Sequence, residues 1–207
     1  MKSVNLVLTG VGGQGVILAS DIIGDAAIDA GLDVKKTDTL GMAQRGGSVI
    51  SHLRIADHVR SPLIKEGEAD ILLAFEKLEA ARWCHFLRPG GTVIINNQIQ
   101  PPLSVNIGNE RYPDDDTITA LIKKRTDNYF YIDGTDKARE MGNVRVFNIL
   151  MLGCLSLFIP FKASIWKESI MQHLAPGIHK INLAAFDLGR KEMRGRMPSK
   201  NEMRGKK

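Results

Sequence analysis

The chain has 207 residues, 43% apolar and 25% charged, with two cysteines and a formal net charge of +5. This length suits one domain with a real core, and the composition is that of a soluble globular protein. Two thiols, Cys84 and Cys154, form no disulfide framework and cannot fill an Fe–S cluster, which takes four cysteines.

Lys2 leads into a strand-like run rather than an apolar stretch with a cleavage site, so no secretory signal is read here. Val4 to Leu8 is a short apolar run that enters Gly10, Gly12, Gly13 and Gly15 directly. An apolar-periodic segment follows and ends at Gly31. This order predicts a buried strand, a glycine turn and a helix packed back on the strand. Leu32 to Thr39 reads as a second strand. It leads into a second glycine-rich loop, Gly41-Met42-Ala43-Gln44-Arg45-Gly46-Gly47. Ser48 to Ile55 is a third strand, with a turn or hairpin expected at Ala56-Asp57-His58.

Ala69 to Phe75 is a continuous apolar run, as in a strand covered on both faces. Glu76 to Phe86 is helical, and Arg88-Pro89-Gly90-Gly91 is expected to break it before a strand at Thr92 to Asn96. Asn97 to Pro113 is irregular, with a short strand expected at Ser104 to Ile107. Acids at 114–116 and bases at 123–125 flank a helix whose dipole they suit. Tyr129 to Asp133 is a strand, and Thr135 to Met141 a short helix. Val144 to Ile159 is the most apolar segment. It is short for a membrane span and carries Arg145 and Asn148, so it reads as a buried core helix. Ala163 to Leu174 is a last amphipathic helix, and Asn182 to Gly189 a terminal helical turn. From Arg190 the chain is basic and nearly free of apolar residues, as expected of a solvated, disordered tail. The remainder is close to neutral, so the basic pI of about 9.2 is weak evidence for nucleic acid.

Strands alternating with helices predict one α/β domain over residues 1–189. Its form is a three-layer α/β/α sandwich around a Rossmann-like, mostly parallel sheet, with mixed pairing left open. Ligands of such sheets bind beyond the carboxyl ends of the strands. Both glycine loops are expected at that edge. Free N–H groups at the start of the first helix and its positive end suit a phosphate. Thr9 and Gln14 are polar where a turn needs only glycine, and Arg45 could hold a phosphate or carboxylate with two bonds. Candidate binding residues are therefore Gly10, Gly12, Gly13, Gln14, Gly15, Arg45, Gly46 and Gly47. Asp38 would take ribose hydroxyls in a dinucleotide fold or cap the loop after it. His52 reads as structural. Cys84, His85 and Cys154 lack zinc-site spacing, so no metal is assigned. No catalytic acid, base or nucleophile is assigned either.

Thr9-Gly10-Val11-Gly12-Gly13-Gln14-Gly15, Gly41-Met42-Ala43-Gln44-Arg45-Gly46-Gly47 and Asn182-Leu183-Ala184-Ala185-Phe186-Asp187-Leu188-Gly189 stand together in this chain. With the Ala69-Asp70 strand between them, the chain resembles the gamma-type subunits of 2-oxoacid:ferredoxin oxidoreductases. It is most similar to the small subunits of archaeal indolepyruvate enzymes. The resemblance implies a cytoplasmic complex that decarboxylates a 2-oxoacid oxidatively, passes electrons to ferredoxin and transfers the acyl group to coenzyme A. Thiamine diphosphate, Mg and Fe–S clusters would sit on a larger partner subunit. This chain would bind no cofactor alone, and would close over the active site and help hold coenzyme A, at a contact that includes Gly12, Gly13, Gln14, Arg45 and Gly46. A homodimer is expected in isolation, and neither nucleic acid nor membrane is expected as a partner. The alternatives are a stand-alone NAD- or flavin-dependent dehydrogenase, an S-adenosylmethionine methyltransferase, or a regulatory binding protein.

Overall fold

A computed structural model describes residues 3–40 and 46–197. In chain order the elements begin with β1 (Val4–Val11), α1 (Val16–Asp29), β2 (Asp33–Leu40) and β3 (Ser48–Ala56). β4 (Ala69–Ala74), α2 (Lys77–Trp83), β5 (Leu87–Asn96), α3 (Leu103–Asn106) and α4 (Asp115–Lys123) follow. The last are β6 (Tyr129–Ile132), α5 (Gly134–Glu140), α6 (Phe147–Leu155), α7 (Ala163–His173) and α8 (His179–Arg196).

The strands form one six-stranded sheet in the order β2-β3-β1-β4-β5-β6. β1, β4, β5 and β6 pair in parallel, whereas β3 runs antiparallel to both β1 and β2. The sheet is thus mixed, and the cause is local. A parallel crossover needs about a dozen residues or more, and the segment from 41 to 47 is too short, so β2 and β3 close as a hairpin. The hairpin precedes β3; none follows Ala56.

Period-2 alternation divides β1 between two cores. Leu6 and Leu8 meet Ile22 and Ile23 of α1, Leu150 of α6, Trp166 of α7 and Phe186 of α8 on one face. Val7 joins Leu72, Val93 and Ile95 under α2 and α4 on the other. The result is the expected three-layer sandwich. Asp114 caps α4 by accepting from the Thr117 N–H at 2.7 Å. All nine residues of α6 are buried, as its unbroken apolar run requires.

Three local expectations give way. Residues 103–106 form the short helix α3, not a strand. Arg88-Pro89-Gly90-Gly91 lies inside β5, where the register against β4 shifts between Ala69 and Ile71. The extra residues bulge out of the ladder instead of ending it. The stretch from Arg190 does not open as a solvated tail, because α8 continues to Arg196. Met193 is fully buried, Lys137 pairs with Glu192 at 3.1 Å, and the Arg196 guanidinium donates to the Tyr131 carbonyl at 3.1 Å. These tertiary contacts tie a polar-looking segment to the body. Residues 198–207 lie outside the described residues.

Candidate functional site

The carboxyl ends of the parallel strands carry the first glycine loop. Gln14 organises it from inside. Its Oε1 accepts from the Val11 N–H at 2.8 Å, and its Nε2 donates to Gln100 Oε1 at 3.1 Å. A Cβ on Gly10 would lie 2.7 Å from that Oε1. Gly10 is therefore required by packing and is not open to a ligand. The second loop meets the first as expected. The Gly12 N–H donates to the Gly47 carbonyl at 2.8 Å, and the Gly46 N–H donates to the Gly12 carbonyl at 3.4 Å. Gly13 and Gly46 are exposed. Arg45, with the rest of residues 41–45, lies outside the described residues.

Two buried carboxylates support this edge from below. Glu79 accepts from Ser48 Oγ, Trp83 Nε1 at 3.0 Å and Thr9 Oγ1 at 3.4 Å. That pins the start of β3 to the end of β1. Glu76 caps α2 by accepting from the Glu79 N–H at 2.9 Å, and it also accepts from the Tyr112 hydroxyl and, at 3.1 Å, the Gln100 N–H. It thereby holds the segment that carries Gln100 against Gln14.

Burial raises the Glu76 carboxyl above its usual range, although the Tyr112 hydroxyl and the backbone N–H donors oppose this. A raised carboxyl favours the protonated folded state. Its stabilising contribution is complete below the unfolded value and is lost as pH rises through the folded one. Wild type minus Glu76→Gln stability should therefore fall as pH rises above the ordinary carboxylate value of 4.5. Urea unfolding across that range checks it, and a pH-independent difference would show that the carboxyl is not raised.

A cleft of about 730 Å³ opens beside the first loop. The N-terminus of α1 forms one wall, and the segment from Asn143 to Ile149 faces it. Gly15 caps α1 at φ 81°, with no side-chain cap and no acid in the first turn. The lining includes Arg139 and Arg145 but neither aspartate nor glutamate. Asn148 and Asn182, 6% and 5% exposed, also line it. Arg145 and Asn148 stood out in the sequence only as polar interruptions of an apolar run.

Other candidates resolve structurally. Asp38 accepts from Ser51 Oγ at 2.6 Å and pairs with Lys36 at 2.9 Å. It sits on β2, which β3 separates from β1, so it does not reach a ribose on the first loop. His52 is buried, accepts from the Ile64 N–H at 3.4 Å and meets the Phe86 ring edge-on at 4.9 Å. Burial lowers its pKa, so the structural reading holds. Burial raises the Cys84 thiol and pushes the Cys154 thiol up to about 12. Among the described residues no group of three or more His, Cys, Asp or Glu could hold a metal ion. No helix among them is long and apolar enough to cross a membrane.

Comparison with known proteins bears on this edge. Residues 5–192 match the family model described as pyruvate ferredoxin/flavodoxin oxidoreductase. The chain is 38% identical over 192 residues to the indolepyruvate oxidoreductase subunit IorB of Pyrococcus horikoshii, covering 91% of this chain and 95% of that one. It is 40% identical over 187 residues to the subunit of the same name from Archaeoglobus fulgidus, covering 89% and 92%. In fold it is similar to the gamma subunit of a keto/oxoacid ferredoxin oxidoreductase from Geobacter sulfurreducens. The TM-score is 0.68 at 21% identity, over 93% of this chain and 99% of that one. A Magnetococcus marinus 2-oxoglutarate:ferredoxin oxidoreductase, with 2-oxoglutarate, coenzyme A and succinyl-CoA bound, gives 0.73 at 22% identity. That match covers 96% of this chain and 32% of the larger one.

Proposed function

Because the chain belongs to the pyruvate ferredoxin/flavodoxin oxidoreductase family, we propose that it closes the active site of a larger thiamine-bearing partner and helps hold coenzyme A. It is the small subunit of a 2-oxoacid:ferredoxin oxidoreductase, which acts on the oxo group. The substrate is an aryl pyruvate, with indolepyruvate foremost. Similarity to the indolepyruvate subunits over nearly the whole chain supports that choice.

Thiamine diphosphate with its Mg²⁺, and Fe–S clusters, supply decarboxylation and electron transfer on the partner, with ferredoxin as acceptor. This chain supplies surfaces. The meeting of the two glycine loops at Gly12, Gly46 and Gly47 carries the reading, because it places exposed backbone at one sheet edge beside the cleft. Gly12, Gly13, Gln14, Arg45, Gly46 and Gly47 form the contact with the partner and coenzyme A, while Gly10 and Gly15 shape the turn beneath it. Val144 and Ile178, 45% and 41% exposed, give the cleft an apolar rim for the partner to cover. In isolation that rim favours a two-fold dimer. Free thiols fit a cytoplasmic location.

The purified chain alone is expected to lack visible Fe–S absorbance and to reduce no dye with indolepyruvate. Turnover by this chain alone would overturn the role.

A further inference from the structure

We propose that residues 97–109 form a second docking segment for the larger partner subunit, a loop held in place by Glu76. This rests on the subunit reading above and goes beyond it, since that reading places the contact on the glycine loops and the cleft rim alone.

The loop leaves the carboxyl end of β5, and its two feet meet on one carboxylate oxygen. Glu76 Oε1 accepts from the Gln100 N–H at 3.1 Å and from the Tyr112 hydroxyl. That hydroxyl in turn accepts from the Leu78 N–H at 3.2 Å. Glu76 is fully buried, so the anchor lies inside the body. Between the feet the loop braces itself. Pro101-Pro102 stiffens the entry. The Pro102 carbonyl accepts from the Val105 and Asn106 N–H groups, both at 3.1 Å, and the Asn106 side chain donates back to the Pro101 carbonyl at 3.2 Å. Compact surface loops with closed ends frequently carry function. Ordering this one costs chain entropy, yet Ile99, Val105 and Ile107 join neither hydrophobic core. Ile107 is 60% exposed and Ile99 47%.

Composition shows what kind of surface covers it. Residues 97–109 hold no charged side chain, in a chain that is 25% charged. The connector before β4, at the opposite edge of the sheet, carries Asp57, Arg60, Lys65, Glu66 and Glu68. Loss of charge together with exposed apolar side chains marks the core of a protein–protein interface. It does not suit nucleic acid or an anionic membrane, which call for Lys and Arg. Position selects the protein. Gln100 Oε1 accepts from Gln14 of the first glycine loop at 3.1 Å, and Gln98 and Gln100 line the same cleft as Val144 and Ile178. The loop is thus continuous with the surface assigned to the larger partner. A second copy seated here in the assembled enzyme would cover the glycine loops and shut that partner out, so the occupant is the larger subunit.

The test compares Ile107→Asp with Leu63→Asp, whose side chain is 63% exposed at the opposite edge. The affinity of each full-length variant for the larger subunit is measured at equilibrium, beside the melting temperature of the isolated chain. Ile107→Asp should weaken assembly by about tenfold or more, because it places a charge in a surface that assembly dries. Its melting temperature should be unchanged, since the site is exposed. Leu63→Asp should alter neither quantity. Amide hydrogen exchange of wild type keeps the test decisive if Ile107→Asp misfolds: exchange across 101–111 should slow on assembly. Equal affinity of Ile107→Asp and wild type, or exchange that assembly does not slow, would overturn the docking role and leave the subunit reading standing. Loss of self-association in isolated Ile107→Asp, with assembly unaffected, would assign the loop to a second copy and overturn it too. A wild-type chain that fails to assemble with the larger subunit would overturn both.

Discussion

Gly189→Ala is expected to destabilise the protein more than alanine at Gly13, Gly15 or Gly195. α6 and α8 cross where a Cβ on Gly189 would lie 1.9 Å from the Leu150 carbonyl oxygen. A Cβ on Gly153 would lie 2.1 Å from the Phe186 carbonyl oxygen. Both obstacles are backbone, so relief requires the helices to separate. Overpacking of this kind costs about 3–5 kcal/mol, at the severe end of single substitutions. For a chain of this size that lowers the melting temperature by roughly 10 °C. Gly195→Ala, on the same helix with nothing within 4 Å of its Cβ, should be neutral or slightly stabilising. Thermal melts of both variants decide this, and a Gly189→Ala melt close to wild type would mean the helices are not this close.

The second large effect is at Gly15. Alanine there would hold a φ of 81° and drive its Cβ into the Asn148 amide. The backbone term alone is about 1–2 kcal/mol, and displacing a buried amide should bring the total to roughly 2–4 kcal/mol. Gly13 has a φ of 102° and open space around its Cβ, so Gly13→Ala should lose only the backbone term. Urea unfolding should rank Gly15→Ala well below Gly13→Ala. Equal losses would show that Asn148 does not occupy the space over Gly15.

These two glycines show what the sequence conveyed. Thr9 to Gly15 announced a strand, a turn and a helix because an apolar run met closely spaced glycines, and that signal is local. Which glycine packs, as Gly10 does against Gln14, Val16 and Phe75, and which faces open space, as Gly13 does, depends on residues far along the chain. Gly189 sat in a recognisable terminal motif, but its reason is the Leu150 carbonyl on a different helix. α4 was legible from its charged ends, and α6 from its apolar length. β5 was mistaken at Arg88-Pro89-Gly90-Gly91 because a bulge and a break use the same residue types. α8 was cut short because a single buried methionine and two ion-paired side chains, Glu192 and Arg196, carry it past Gly189. The glycine loops of the site were legible, and their meeting at Gly12 followed from the strand directions. The packing of Asn148 was not, because what an asparagine in a core helix meets shows only once Gly15 is seen beneath it.

This chain works as the small subunit of a larger enzyme. The most direct test is native, anoxic purification of the tagged chain, followed by assays for thiamine diphosphate, iron and indolepyruvate-dependent ferredoxin reduction. A stoichiometric larger subunit that brings all three is expected. A chain that elutes alone, with no thiamine or iron and no activity restored by a candidate partner, would contradict it.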